Sequence, residues 1–415
     1  RGQSYYDLVI EVDPTDDTKI YAGGIDLFRS TNSGANWAQI SKWSNNNFLS
    51  GLTIPLVHAD QHVLVFHPTD TDKAIIGNDG GVFYASSLSS AIFSTTVISA
   101  RNNNYNVTQF YHGAIGQDAS NELLLSGAQD NGTQFVSGAS AGINSTTDVY
   151  GGDGAYSFID KDGEYMIVSY VYNIKTRFTL PYTGAGVTIS NDQDTGSFIN
   201  PSELDDHLDI LYTNSSGGGG DSIARFTGIT TFSPFRKNFG NALLTSKTTA
   251  FKVSPYTTSS TKLFVGTSNG LVLKIDNANT NAPTWSKISN GLDVAGSVSS
   301  IEFGKNEDEI LVAFHNYGVI NIWFTEDGGT TWASKEGDFP DIPVKAILMN
   351  PLNNDEVIIG TELGVWRTGD FKNSAPTWTQ SNNGMSNVKV TSFSLRTSDN
   401  TVMATSYGRG MFTGT

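Results

Sequence analysis

Residues 8–31 read LVIEVDPTDDTKIYAGGIDLFRST, and residues 63–86 read VLVFHPTDTDKAIIGNDGGVFYAS. Residues 251–274 (FKVSPYTTSSTKLFVGTSNGLVLK) and 346–368 (AILMNPLNNDEVIIGTELGVWRT) follow the same plan. Each has an apolar strand, a polar turn with proline, a second strand ending in glycine, a tight turn and a third strand. From Pro14 to Gly23, Pro68 to Gly77 and Pro351 to Gly360 the spacing is nine residues, and from Pro255 to Gly266 it is eleven. Several copies lead into a tryptophan-bearing fourth strand at Trp37, Trp285, Trp332 and Trp378. Weaker copies lie near 109–136, 155–180, 208–227, 299–332 and 391–413. That makes eight or nine copies of roughly 45 residues, the period of a four-stranded propeller blade. A lone blade cannot bury both faces, and ring closure solves this by stacking sheets face to face. The expectation is an all-β protein, a β-propeller of four-stranded antiparallel blades. It is read as one repeat array over 1–415, set within a larger chain, with a last copy that stops short of its fourth strand.

Composition agrees. Glycine supplies 43 of 415 residues, well above the ordinary ~7%, while charged residues are 16%. Hairpin-rich chains need residues that accept positive φ. The absence of cysteine leaves packing and closure to stabilise the fold. A net charge of −16 argues against nucleic acid, because no basic stripe faces phosphates. No apolar run approaches the ~20 residues that would span a bilayer, so no membrane insertion is expected. Arg1, Gly2 and Gln3 run towards the first strand without a signal peptide, as in a trimmed chain.

Thr325, Asp327, Gly329 and Trp332 fit the Asp-box pattern, Ser/Thr-x-Asp-x-Gly-x-Thr-Trp, and Ser30, Asn32, Gly34 and Trp37 form a variant with Asn for Asp. The acidic or amide side chain caps the turn backbone, and tryptophan inserts between blades. These residues are read as structural, because such boxes occur in enzymes and in pure binding proteins alike.

In a blade the strands run A to D outward from the axis. The B–C turns and the D–A links share one rim, opposite the Asp boxes. That rim collects His58, Asp60 and His62, Asn78 and Asp79, Asp130 and Asn131, Asp153, His315, Tyr317, Glu362, Tyr407 and Arg409. These residues are expected to converge on one axial mouth, the concave surface that favours ligands. His58, Asp60 and His62 at alternate positions would share one strand face, a row for a divalent cation with Asp79 or for a hydrogen-bonded polar cluster. Calcium would suit the Asp-Gly turns, although the fold needs no cofactor. Glycoside hydrolysis needs two carboxylates across a cleft, with Asp60 and Asp153 as candidates. The sialidase reading lacks its arginine cluster, since only Arg409 occurs among the mouth turns.

With Val57–His62, Gly77–Gly81, Gln129–Gly132 and Gly151–Gly154 in this order, the chain resembles the BNR (Asp-box) propellers of the sortilin and xyloglucanase kind. It is most similar to secreted Bacteroidetes propellers often labelled glycosyl hydrolase. The resemblance implies export by the type IX secretion machinery to the outside or to the outer-membrane surface. Xyloglucanases of that kind use two propellers with a catalytic acid from each. One array is legible here, so those acids are not carried over. The expected function is binding of a glycan or surface protein through the axial mouth, with xyloglucanase-like hydrolysis as the alternative.

Overall fold

The computed structural model describes all residues except 1, 2, 4, 47, 293 and 383. Arg1 and Gly2, read above as running into a strand, therefore lie outside the described residues. Ahead of the first strand, Val9–Asp13, the chain makes a turn in which the Tyr6 amide donates to the Gln3 carbonyl (2.7 Å). Among the described residues, strands then follow one another in nine antiparallel sheets, eight of four strands and one of three. We number these blades in chain order: blade 1 (9–39), blade 2 (61–100), blade 3 (110–150), blade 4 (158–192), blade 5 (202–239), blade 6 (248–287), blade 7 (298–334), blade 8 (344–380) and blade 9 (390–414). Blade 9 is the three-stranded sheet, as its sequence implied.

The blades fall into two compact units, Arg1–Asn106 with blades 1 and 2 and Val107–Thr415 with blades 3 to 9. The repeat pattern itself runs through both units. The repeat plan does not mark the division, since the turn chemistry of a blade does not depend on which stack it joins.

Within 107–415 the hydrophobic core is divided among the joints between blades. Ala114, Leu125 and Phe135 of blade 3 meet Met166 and Val168 of blade 4. Equivalent clusters join blades 4–5, 5–6, 6–7, 7–8 and 8–9. A seventh cluster joins blade 9 to blade 3 through Met403, Ile115 and Leu124. Seven blades with seven joints make a closed ring. Polar bonds seal the seam: the Thr391 hydroxyl donates to the Phe110 carbonyl (2.9 Å), and the Gly113 and Ile115 amides donate to the hydroxyls of Ser392 and Ser394. Arg396, with only 2% of its side chain exposed, clasps Glu122 of blade 3 and Asp399 of blade 9. Unit 1–106 has two blades and one joint, where Val9, Tyr21 and Leu27 pack on Leu64, Ile76 and Phe83.

The glycine that ends the B strand is explained by these joints. A Cβ on Gly266 would lie 2.2 Å from Val298 of the next blade, and one on Gly360 would lie 2.7 Å from Val390. The next A strand passes directly over that position, so only glycine fits.

The turns at 30–37 and 325–332 are C–D turns with one hydrogen-bond scheme. Asp327 accepts from the Thr331 amide (2.8 Å) and the Thr325 hydroxyl (2.7 Å), and the Gly329 amide donates to Thr325 Oγ1 (3.0 Å). Asn32 accepts from the Asn36 amide (2.8 Å), and the Gly34 amide donates to Ser30 Oγ (2.9 Å). The amide replaces the carboxylate because both present an acceptor oxygen to the turn.

Candidate functional sites at the B–C and D–A turns

The residues expected at one mouth are divided between the two units. In unit 1–106, His62 Nε2 lies 2.6 Å from Asp79 Oδ1, and the Tyr6 hydroxyl donates to Asp79 Oδ2 at 3.0 Å. The Tyr6 and His62 rings meet edge to face, 5.0 Å between centroids. Gly80 is required beside this cluster, since a Cβ there would lie 2.3 Å from the His58 ring. Asn78 closes the same turn by accepting from the Gly80 amide (3.1 Å).

The expected His58-Asp60-His62 row is not one strand face. The A strand begins at Gln61, and Asp60 has φ of 65°, a left-handed kink that breaks the two-residue alternation. Buried Gln61 holds the kink by donating to the carbonyls of Ile25 and His58. Burial raises the Asp60 carboxyl above its usual range, reinforced by Asp7 and Asp79 nearby. Among the described residues no group of three or more His, Asp or Glu side chains could hold a metal ion.

In unit 107–415 the B–C turn after Ala128 and the D–A link through Asp153 interlock. Asp153 accepts from the Asp130 amide (3.1 Å), the Gly132 amide donates to the Gly152 carbonyl (2.6 Å), and the Gly154 amide donates to the Ala128 carbonyl (2.8 Å). A Cβ on Gly154 would lie 2.2 Å from the Gly132 oxygen, which explains the Gly-Gly-Asp-Gly string. Asn131 donates to the Gln129 carbonyl (3.0 Å). Gln129 accepts from the Tyr111 hydroxyl (2.8 Å) and from the Tyr407 hydroxyl, so this cluster spans the seam where blade 9 meets blade 3.

A second cluster forms on blades 7 to 9. Glu362 receives His315 Nε2 (2.7 Å) and Lys389 Nζ (2.9 Å). Burial opposes ionisation of Glu362, but Lys389 and His315 outweigh it and hold its carboxyl low. Burial, with Lys345 and Lys389, pushes the His315 imidazole down. The cluster at neutral pH is therefore a neutral histidine and a carboxylate salt-bridged to lysine. Tyr317, two residues after His315, is exposed. The Arg409 amide ties its turn to Ser406 (3.2 Å). The structure thus brings Asp130, Asn131, Asp153 and Tyr407 into one group and His315 and Glu362 into another.

Sequence reasoning missed the charges inside the ring. Glu203, Lys252 and Glu302 sit on the A strands of blades 5, 6 and 7, with Lys252 Nζ 3.0 Å from Glu302. Glu203 accepts from the Val253 amide (3.3 Å), and burial raises its carboxyl to about 7. Burial also raises Asp206 to about 7. Across the channel His112 stacks on Tyr156 (4.4 Å), and burial pushes its imidazole down to about 4. These charges border a cavity of about 580 Å³ lined from all seven inner strands, with Lys161, Tyr256 and Thr397 of the A–B turns among its lining residues. The available signal was a single charged residue in an otherwise apolar strand, as in Ala250–Val253.

No family model and no curated protein matches the chain. Among solved structures it is similar to the β-propeller domain of Cps50 (Swd1) from Myceliophteria thermophila, at 12% identity and a TM-score of 0.53, over 74% of this chain and 95% of that one. The likeness is one of fold, and the chain is a β-propeller protein. Among the described residues no helix is long and apolar enough to cross a membrane.

Proposed function

We propose that this is an extracellular or outer-membrane-surface propeller of the Asp-box kind, exported by type IX secretion, which binds a glycan or surface protein through the B–C and D–A rim of 107–415. The observation that carries the reading is the rigid polar rim. Gln129 is tied to Tyr407 across the ring seam beside the Asp130–Asp153 bond, Glu362 and His315 pair in a second group, and Tyr317, two residues after His315, is exposed. Carboxylates, amides and a free aromatic face suit a polyhydroxyl or peptide surface, and a pre-organised rim binds at lower entropic cost.

The test is a panel of polysaccharides and surface proteins scored for both binding and reducing-end release. Binding without release is expected. Glu362→Gln and Tyr317→Ala should each weaken it about tenfold, about 1.4 kcal/mol, while Asp327→Asn on the other rim should leave it unchanged. Binding indifferent to both rim variants would contradict the reading.

One observation favours the hydrolase alternative. Asp60, its carboxyl raised by burial and by the neighbouring Asp7 and Asp79, has the character of a general acid. Sugar release abolished by Asp60→Asn would establish that reading instead.

A further inference from the structure

Blades 1 and 2 carry apolar outer faces whose counterparts in 107–415 are covered. Pro14 and Gly23 align with Pro351 and Gly360, so Ile10 and Val12 occupy the places of Ile347 and Met349. In blade 8 those two residues pack against Leu311 and Phe324 of the preceding blade, and each is 3% exposed. In blade 1, Ile10 is 66% exposed and Val12 47%. Trp332 and Trp378 donate their indole N–H to the carbonyls of Ile288 and Lys335, each the residue just after the D strand of the preceding blade. Trp37 turns back to the Gly34 carbonyl of its own turn and stays exposed.

Blade 2 shows the opposite half of the same joint. Gly77 aligns with Gly360, yet a Cβ there would meet only Val63 of its own A strand. Ile75 aligns with Ile358, which packs against Val390 and Phe393 of the following blade. In blade 2, Ile75 and Val65 are both more than half exposed. Blade 1 is thus shaped to receive a blade before it, and blade 2 to receive one after it.

We propose that a second copy of this chain covers these faces head to tail, blade 2 of one copy seated on blade 1 of the next. Each copy carries both halves of the joint, and the contact continues the stack that blades 1 and 2 already form through Val9, Tyr21, Leu64 and Ile76. Contiguous exposed apolar surface of this kind marks an interaction site. A joint between unlike faces is heterologous, so copies add in one direction and end only by ring closure.

Sedimentation velocity on the 415-residue protein, from about 1 to about 100 µM, tests this in the range where weak association is read. The wild type should assemble with rising concentration. Ile10→Lys and Val65→Lys, on solvent-facing positions, should each weaken assembly at least tenfold while leaving the circular dichroism spectrum unchanged. An equimolar mixture of the two variants should give a one-to-one dimer and nothing larger, because one variant keeps its blade 2 face and the other its blade 1 face. A wild type that stays monomeric throughout would overturn the proposal. Assembly that survives either substitution, or a mixture that fails to pair, would overturn it equally.

Discussion

Trp332 and Trp37 end the same eight-residue turn, built with the same hydrogen bonds, and meet different surroundings. Trp332 reaches the Ile288 carbonyl of blade 6, and a Cβ on its partner Gly329 would lie 2.4 Å from that same oxygen. Trp37 bonds within its own turn, and the nearest atom to a Cβ on Gly34 is on Trp37 itself, 3.8 Å away. Local sequence therefore makes the turn, while the neighbouring blade decides what the turn stabilises. The same contrast separates the two units. A ring has as many joints as blades, and the pair at 9–100 has one joint for two blades, so identical residues serve as core in one unit and as surface in the other.

Substitutions at aligned positions can break that contrast, and the largest effect is expected in the buried strand. Ile347→Lys places an unpaired charge in the joint between blades 7 and 8 and should cost about 4 kcal/mol in denaturant unfolding. Ile10→Lys should change the unfolding of the dilute monomer by no more than about 0.5 kcal/mol. Next comes the pair of tryptophans. Trp332→Ala removes a ring wedged between blades and should cost about 3 kcal/mol, against about 0.5 kcal/mol for Trp37→Ala. Equal losses at the two positions would show that Trp37 is already covered.

The seam should be somewhat less sensitive. Arg396→Met removes charged hydrogen bonds to Glu122 and Asp399 at the ring closure and should cost about 2 kcal/mol. That loss should appear in the unfolding of 107–415 only.

The smallest effect is a pH dependence belonging to the ring. Glu203 releases its proton near 4.3 in the unfolded chain and only at about 7 when folded. Between those values the folded state binds more protons, so stability is highest below about pH 4.3 and falls as pH rises towards 7. Glu203 is partly exposed, and solvent screening leaves about 1 kcal/mol across the window. Comparing pH titrations of unfolding for Glu203→Gln and the wild type checks it, since the glutamine variant should be flatter there.

Much of the fold could be read from the chain because blade geometry is local. The proline-to-glycine spacing marks the first two strands, and the Ser/Thr-x-Asn/Asp-x-Gly strings at 30–34 and 325–329 mark C–D turns. Closure could not be read in that way. It depends on Ser392, Ser394 and Arg396 meeting residues about 280 positions earlier, and single polar residues in a strand do not announce a partner. Of the candidate site, the Asp-Gly turns were legible because close backbone approach requires glycine. The His58–His62 row was misread because the Asp60 kink is fixed by a tertiary hydrogen bond from Gln61 to the Ile25 carbonyl. Glu203 and Lys252 went unseen because a charge lining a channel looks, in sequence, like one facing solvent.

Hydrogen–deuterium exchange on the intact, dilute protein tests the central claim most directly. A closed ring at 107–415 should lose protection in one cooperative step, with Phe110–Ile115 and Val390–Arg396 at the seam exchanging as slowly as Thr248–Val253 and Val298–Phe303. Blades 1 and 2 should open separately and at lower free energy. Early exchange confined to the two seam strands, or one step for the whole chain, would contradict the account.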